Sequence, residues 1–524
     1  MYAIMKPVAA TLALAACLAT APLSAPSAVA HESPPAALSG APSQTLARYY
    51  DQHPRWKSCV LGPDDEDGRE LAKAGARCAD LTVPLDYARP TGRTITIAIS
   101  RIKATDTAHR VGPILLNDGG PGGPSLTSPL YARTSMADNA ARYDLVGLDP
   151  RFVGRSTPLD CGWPVGSALV SAGMTRASFD RQVTHQKDLA TRCVTRHGDV
   201  LAHVTTRDTA RDMDVVRGAL RERKISYLGY SYGTYLGTAY TQMFPGRYDR
   251  VVFDGAINPP AYQPRILKGQ EETGDRVLRA WAAWTARHHA TYGLGTSERQ
   301  VMRTVEDTAR AAAVRPLVVG SGADAYRVDD ATVPMVAFAG AVDDRDPARH
   351  ALAGQLSVLA RAARGERVEP TPELAHMLDF ALTGKMSPYG SAQVAILCGD
   401  AAAPRDPEVY WRDVLRSRDR YPLMGPMANN VNPCAFWPEI PREAPVRVER
   451  DVPALIVAAT GDSRTPYPGS QALRASLPSS RLLTLEGVNH HGVFGQYGNA
   501  CVDAQVNAYL RTGTLPRADV TCQK

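Results

Sequence analysis

The only Gly-x-Ser-x-Gly of the chain is Gly229, Tyr230, Ser231, Tyr232 and Gly233, set between a nearly continuous apolar run from Ile225 and a stretch with the composition of a helix. A chain that passes from strand to helix over one residue must turn sharply. The residue at the corner is forced into strained geometry, and glycines on either side remove the side chains that would collide there. Such a corner needs a sheet edge beneath it and a helix packed behind it, which makes a helix-covered sheet the expected frame. The serine hydroxyl then projects above the sheet, at the positive end of the following helix.

Other segments fit that frame. The short apolar runs "GPILLND" (112–118), "YDLVGLD" (143–149) and "RVVFDGA" (250–256) suit strands covered on both faces. "DTARDMDVVRGALRE" (208–222) is amphipathic and reads as a crossover helix. Before them, "LTVPLDYARPTGRTITIAISRI" (81–102) alternates on both sides of a Pro/Gly turn, with Ile95, Ile97 and Ile99 on one face, and is predicted to be an antiparallel hairpin. Strand-like runs nearly vanish between 257 and 445, where the spacing is helical, and return at "VPALIVAATGD" (452–462) and "RLLTLEGV" (481–488). The expected fold class is α/β: a mostly parallel sheet wrapped by helices, its core in two parts (46–256 and 446–524) around a mainly helical cap insertion (257–445). No repeat of 20 to 50 residues is visible.

The first thirty residues read as an export signal, with Lys6 before the apolar "PVAATLALAACLATAPL" and small residues Ala28, Val29 and Ala30 for cleavage. Leu14, Ala15, Ala16 and Cys17 also resemble a lipobox, so lipid anchoring at Cys17 is the alternative to free secretion. Residues 31–45, rich in Ala, Ser and Pro, read as a flexible leader or pro-segment. No later apolar run reaches the about 18 to 20 residues that span a bilayer. Cys17 apart, eight cysteines remain. An even number in an exported chain suggests disulfides, and sequence proximity favours Cys59 with Cys78, Cys161 with Cys193, Cys398 with Cys434, and Cys501 with Cys522. There is no CxxC pair, so no metal is expected. A formal charge of +6 without a long basic run argues against nucleic acid as a partner.

A serine hydroxyl is a poor nucleophile near neutral pH and needs a base, itself oriented by a carboxylate. Asp462 in "GDSRTP" and the tandem His490 and His491 in "NHHG" each follow a returning strand, and the order Ser231, Asp462, His490/His491 is that of an α/β-hydrolase triad. A tetrahedral intermediate also needs backbone amides aimed at its oxyanion. Tyr232, the residue after the nucleophile, supplies one, and Gly119 or Gly120 of "NDGGPGGPS" supplies the other. The competing reading of that loop as a phosphate cradle lacks both the GK[ST] ending and the GxGxxG spacing.

Together, "LLNDGGPGGPS", "YDLVGLDPRFVGRSTPLDC", "DMDVVRGALRERKISYLGYSYGTYLGTAYTQMFPGRYDRVVFDGAINP", "GDSRTP" and "YLRTGTLPRADVTC" resemble the secreted tripeptidyl aminopeptidases of the proline-iminopeptidase-like α/β-hydrolases. The resemblance runs from about residue 55 to the C-terminus and is weakest in the insertion. It implies a serine exopeptidase, capped over its active site, that releases N-terminal tripeptides and is exported, often with a pro-segment. By the same resemblance Ser231 is the nucleophile, Asp462 the acid of a DxxTP pattern and a histidine of "NHHG" the base. Two positions depart from the family: Pro124 stands where serine is common, and Phe152 where glycine is common. For the base, the glycine after it selects His491, whereas counting forward from Gly487 selects His490. His491 is preferred, leaving His490 as a partly exposed neighbour.

The expected reaction is acyl transfer from peptide to Ser231 followed by hydrolysis of the tripeptidyl enzyme, on peptides with a free N-terminus, without cofactor and as a monomer. A secreted carboxylesterase on the same fold and a non-catalytic binding protein on a hydrolase scaffold are the alternatives. The substrate ammonium needs a carboxylate if it is buried. Glu271 and Glu272 are candidates, against the plainer reading of a solvated helix face, and no substrate-binding residue is assigned. Trp281 and Trp284 are expected to be cap packing.

Overall fold

The structure is a computed structural model that describes residues 44–438 and 441–524. The expected export signal, Cys17 and leader residues 31–43 lie outside the described residues. The described part opens with the helix Gln44–Tyr50, whose Tyr49 is buried in the main core.

Strands β1 (Arg77–Pro84) and β2 (Thr94–Ile102) form the expected hairpin, with Leu81 opposite Ile97 and Val83 opposite Ile95. Strands β3 (Gly112–Asn117), β4 (Tyr143–Leu148), β5 (Ile225–Tyr230) and β6 (Tyr248–Asp254) follow. A small antiparallel pair, β7 (Leu317–Val319) and β8 (Tyr326–Val328), comes next, and β9 (Leu455–Ala459), β10 (Arg481–Glu486) and β11 (Val520–Gln523) complete the set. The large sheet has the order β1-β2-β4-β3-β5-β6-β9-β10-β11, with every pairing from β4 to β11 parallel. All six residues of β3, β4 and β5 are buried, because helices cover both faces. The crossover helix is Thr206–Ala219; Thr205 caps it by accepting the Asp208 N–H. It lays Val215 and Val216 on one side of the sheet, while Val506 and Leu510 of the helix Ala500–Thr512 pack on the other.

Among the described residues between β6 and β9 the regular elements are helical apart from β7 and β8, three-residue strands too short to leave a periodic pattern. Most of this stretch has a core of its own, from Val277 to Met424, that includes Trp281 and Trp284. Its helix Ser387–Asp400 packs instead into the main core through Ala392 and Val394–Cys398. Among the described residues four disulfides join Cys59–Cys78, Cys161–Cys193, Cys398–Cys434 and Cys501–Cys522. Among the described residues no helix is long and apolar enough to cross a membrane.

Candidate active site

Ser231 stands alone between β5 and the helix Tyr232–Met243 with φ 56° and ψ −124°. A non-glycine residue held there costs about 1–3 kcal/mol, so its surroundings must impose it. The flanking glycines show how. A β-carbon on Gly229 would lie 2.6 Å from the Gly233 oxygen, and one on Gly233 2.6 Å from the Asn117 oxygen. The Ser231 N–H donates to the Asp254 carbonyl at the end of β6 (2.9 Å), and its own carbonyl accepts from the Thr234 hydroxyl (2.7 Å).

The glycine loop leaves β3 and folds over this corner. A β-carbon on Gly119 would meet Tyr230 O at 2.6 Å, Ser231 Cβ at 3.0 Å and Tyr232 N at 3.1 Å, so only glycine allows the approach. The Gly119 N–H is already given to Asn117 Oδ1 (3.1 Å), whereas those of Gly120 and Tyr232 have no acceptor among the described residues. Asp149, just past β4, anchors the far end of the loop by accepting from the N–H groups of Ser125 (2.8 Å), Leu126 (3.1 Å) and Arg155 (2.7 Å). Burial nonetheless pushes its carboxyl up to about 6, and burial does the same to Asp118 beside the loop.

Asp462 follows β9 and is buried. His491 Nδ1 lies 2.9 Å from its Oδ2 and 3.1 Å from its Oδ1, and Thr465 Oγ1 donates to Oδ2 at 2.7 Å. The N–H groups of Arg464 and Thr465 complete its shell at 2.7 and 3.1 Å. Burial works against the charge, but His491 and these donors outweigh it and hold the carboxyl below the usual range. Gly255, next after Asp254, is the hub: a β-carbon there would sit 3.5 Å from both Asp462 Oδ2 and His491 Cε1. No hydrogen bond yet joins Ser231 Oγ to His491 Nε2; such contacts commonly tighten only with substrate in place.

The two histidines part company. His490 is buried rather than partly exposed. Its Nδ1 donates to the Gly492 carbonyl (2.6 Å), its Nε2 accepts from Arg345 Nη2 (3.1 Å), and its ring meets Tyr497 edge-on. Burial lowers its pKa, which suits the neutral ring these partners require. Of the two cap glutamates, Glu272 is exposed as the plain reading expects. Glu271 is instead half-buried, with Oε1 accepting from Asn429 Nδ2 (2.6 Å). Asp254, Asn117 and Asp149 were missed by sequence reasoning. The available signal was a polar residue closing or just following an apolar strand, as in "RVVFDGA".

A serine at a strained strand-to-helix corner, amides beside it and an Asp–His pair on the next loops define a serine hydrolase of the α/β-hydrolase fold. The family described as alpha/beta hydrolase fold matches residues 112–300, and that described as TAP-like protein matches 421–522. The chain is 34% identical over 470 residues to "Tripeptidyl aminopeptidase" of Streptomyces lividans, covering 85% of this chain and 83% of the relative. It is 31% identical over 469 residues to "Serine protease Hip1" of Mycobacterium tuberculosis, covering 86% and 87%. To "Carboxylesterase B" of the same organism it is 32% identical over 467 residues, covering 85% and 86%. The chain belongs to the TAP-like serine peptidases, the family of tripeptidyl aminopeptidases.

Proposed function

We propose that the protein is an exported serine exopeptidase that releases tripeptides from free N-termini, with Ser231 as nucleophile, His491 as base and Asp462 as the acid that orients it. The observation that carries this reading is the His491–Asp462 pair at 2.9 Å beside the strained Ser231 corner. In the forward step His491 Nε2 takes the Ser231 proton as Oγ attacks the carbonyl. The Gly120 and Tyr232 N–H groups receive the oxyanion, and the protonated ring passes its proton to the leaving amine. Water then repeats the sequence on the tripeptidyl ester. Residues 257–445 act as the cap, and within it Glu271 is our assignment for the substrate ammonium. Its neighbour Gln270 donates to the Arg464 carbonyl in the acid's own loop (3.0 Å), which supports that assignment. The protein works as a monomer, the first thirty residues act as its export signal, and residues 31–45 are a leader or pro-segment.

Mass spectrometry of products from unblocked peptides tests the proposal: tripeptides are expected, and single residues or dipeptides would refute it. The relative named "Carboxylesterase B" favours a second reading, an exported carboxylesterase. Equal rates on free and N-acylated tripeptide amides, or turnover of esters alone, would select it.

A further inference from the structure

Asp254 closes β6 wholly buried, and this one residue touches two arms of the catalytic arrangement. Its main-chain carbonyl takes the Ser231 N–H at 2.9 Å. Its carboxylate takes the Val493 N–H at 3.0 and 2.9 Å, shared between the two oxygens, and the Phe494 N–H at 2.7 Å. Val493 and Phe494 follow His491 by two and three positions. From the same side, the Tyr230 hydroxyl donates to the Phe494 carbonyl at 2.9 Å. The loop that carries the base thus hangs from the residue just before the nucleophile and from the end of the neighbouring strand.

We propose that Asp254 is a positioning residue for His491: its carbonyl holds Ser231 and its side chain holds the residues just after His491, which fixes the base's loop in register with the nucleophile. The inference rests on the Ser231–His491–Asp462 reading. Oδ2 accepts from both N–H groups and Oδ1 from that of Val493 alone, so an amide in place of the carboxylate either turns its NH2 against both N–H groups or loses the Oδ1 branch. The charged groups around it oppose one another, since His491 when protonated favours the carboxylate and Asp462 disfavours it; Tyr230 is the other titratable group against it. Burial is the largest influence and pushes the carboxyl up to about 7.

The test uses an activated ester, a substrate common to peptidase and esterase readings, on the protein and on Asp254→Asn from pH 5 to 9. Across this range Asp254→Asn should lose about 10- to 100-fold in kcat, the cost of a base displaced by an ångström or less, with KM nearly unchanged. An unchanged kcat, or a KM that rises as much as kcat falls, would overturn the proposal. Should the variant not fold, hydrogen exchange in the unaltered protein decides. After correction for intrinsic rates, the Val493 and Phe494 amides should exchange within about tenfold of the buried β6 amides, and exchange as fast as an exposed loop refutes the idea. A protein that neither labels with a fluorophosphonate nor hydrolyses the ester sinks the triad reading instead, and the exchange measurement still judges Asp254.

Discussion

Replacing His491 by alanine removes the ring that faces Asp462, and the expected loss in kcat is on the order of 10⁴- to 10⁶-fold. His490→Ala should keep turnover within about tenfold and cost about 1–3 kcal/mol of stability, because Arg345 and the Gly492 carbonyl lose a buried partner. Parallel kinetics and denaturant titrations separate the two roles. If Glu271 meets the substrate ammonium, Glu271→Gln should raise KM for free-amine peptides by tenfold or more and leave ester KM unchanged. The pH dependence of stability has two opposite parts. Asp462, held below the usual carboxylate range, stabilises the fold above pH ~4 and loses that contribution as pH falls through its folded value. Asp254, pushed up to about 7, favours the fold when protonated, so its contribution is present below pH ~4 and lost as pH rises toward 7. Urea titrations at pH 5 and 8 should show the unaltered protein losing stability relative to Asp254→Asn. Ser231 and Asp462 were legible in the sequence because each sits where an apolar strand stops. Choosing between adjacent histidines was harder, since neither periodicity nor spacing says which ring turns toward the strand above.

At the scale of elements, Arg151 shows how the loop after β4 is tied down. Its guanidinium is fully buried and forks onto Asp212 of the crossover helix, with both contacts at 2.7 Å. Arg151→Ala strands that carboxylate, and chemical denaturation should register a loss of about 3–5 kcal/mol. Phe152, next to it, has φ 66° although its ring is buried in the main core. The family's usual glycine would relieve about 1–2 kcal/mol of backbone strain, but deleting the ring should cost about 3–5 kcal/mol. Phe152→Gly is therefore expected to be destabilising on balance. The strands of the parallel sheet could be read because burial on both faces makes continuous apolar runs. The helix Ser387–Asp400 could not be placed in the main core from its sequence: it is buried almost all round, which erases the amphipathic stripe that shows which side faces in.

At the scale of the molecule, the insertion holds the loop of His490 and His491 from outside. The Asp344 carboxylate accepts from Asn489 N (3.2 Å), Tyr497 Oη (3.1 Å) and Lys524 Nζ (2.8 Å), and Arg345 donates to the Gln496 carbonyl (3.0 Å). Asp344→Ala should therefore lower kcat without touching any group that meets substrate, and the loss should appear with esters and peptides alike. None of this was legible, because Asp344 and Asn489 are 145 residues apart and each alone reads as an ordinary loop residue.

Each of the eight bridged cysteines is joined to its immediate neighbour in cysteine order, across separations of only 19 to 36 residues. A chain threaded out of the cell N-terminus first would meet its correct partners in the order of their arrival, and an oxidant at the exit needs no proofreading. The rule has one weakness. Losing Cys59 alone would leave Cys78 waiting for Cys161, and the error would pass down the line, so single-cysteine variants should be more damaging to the yield of folded protein than the removal of a whole pair.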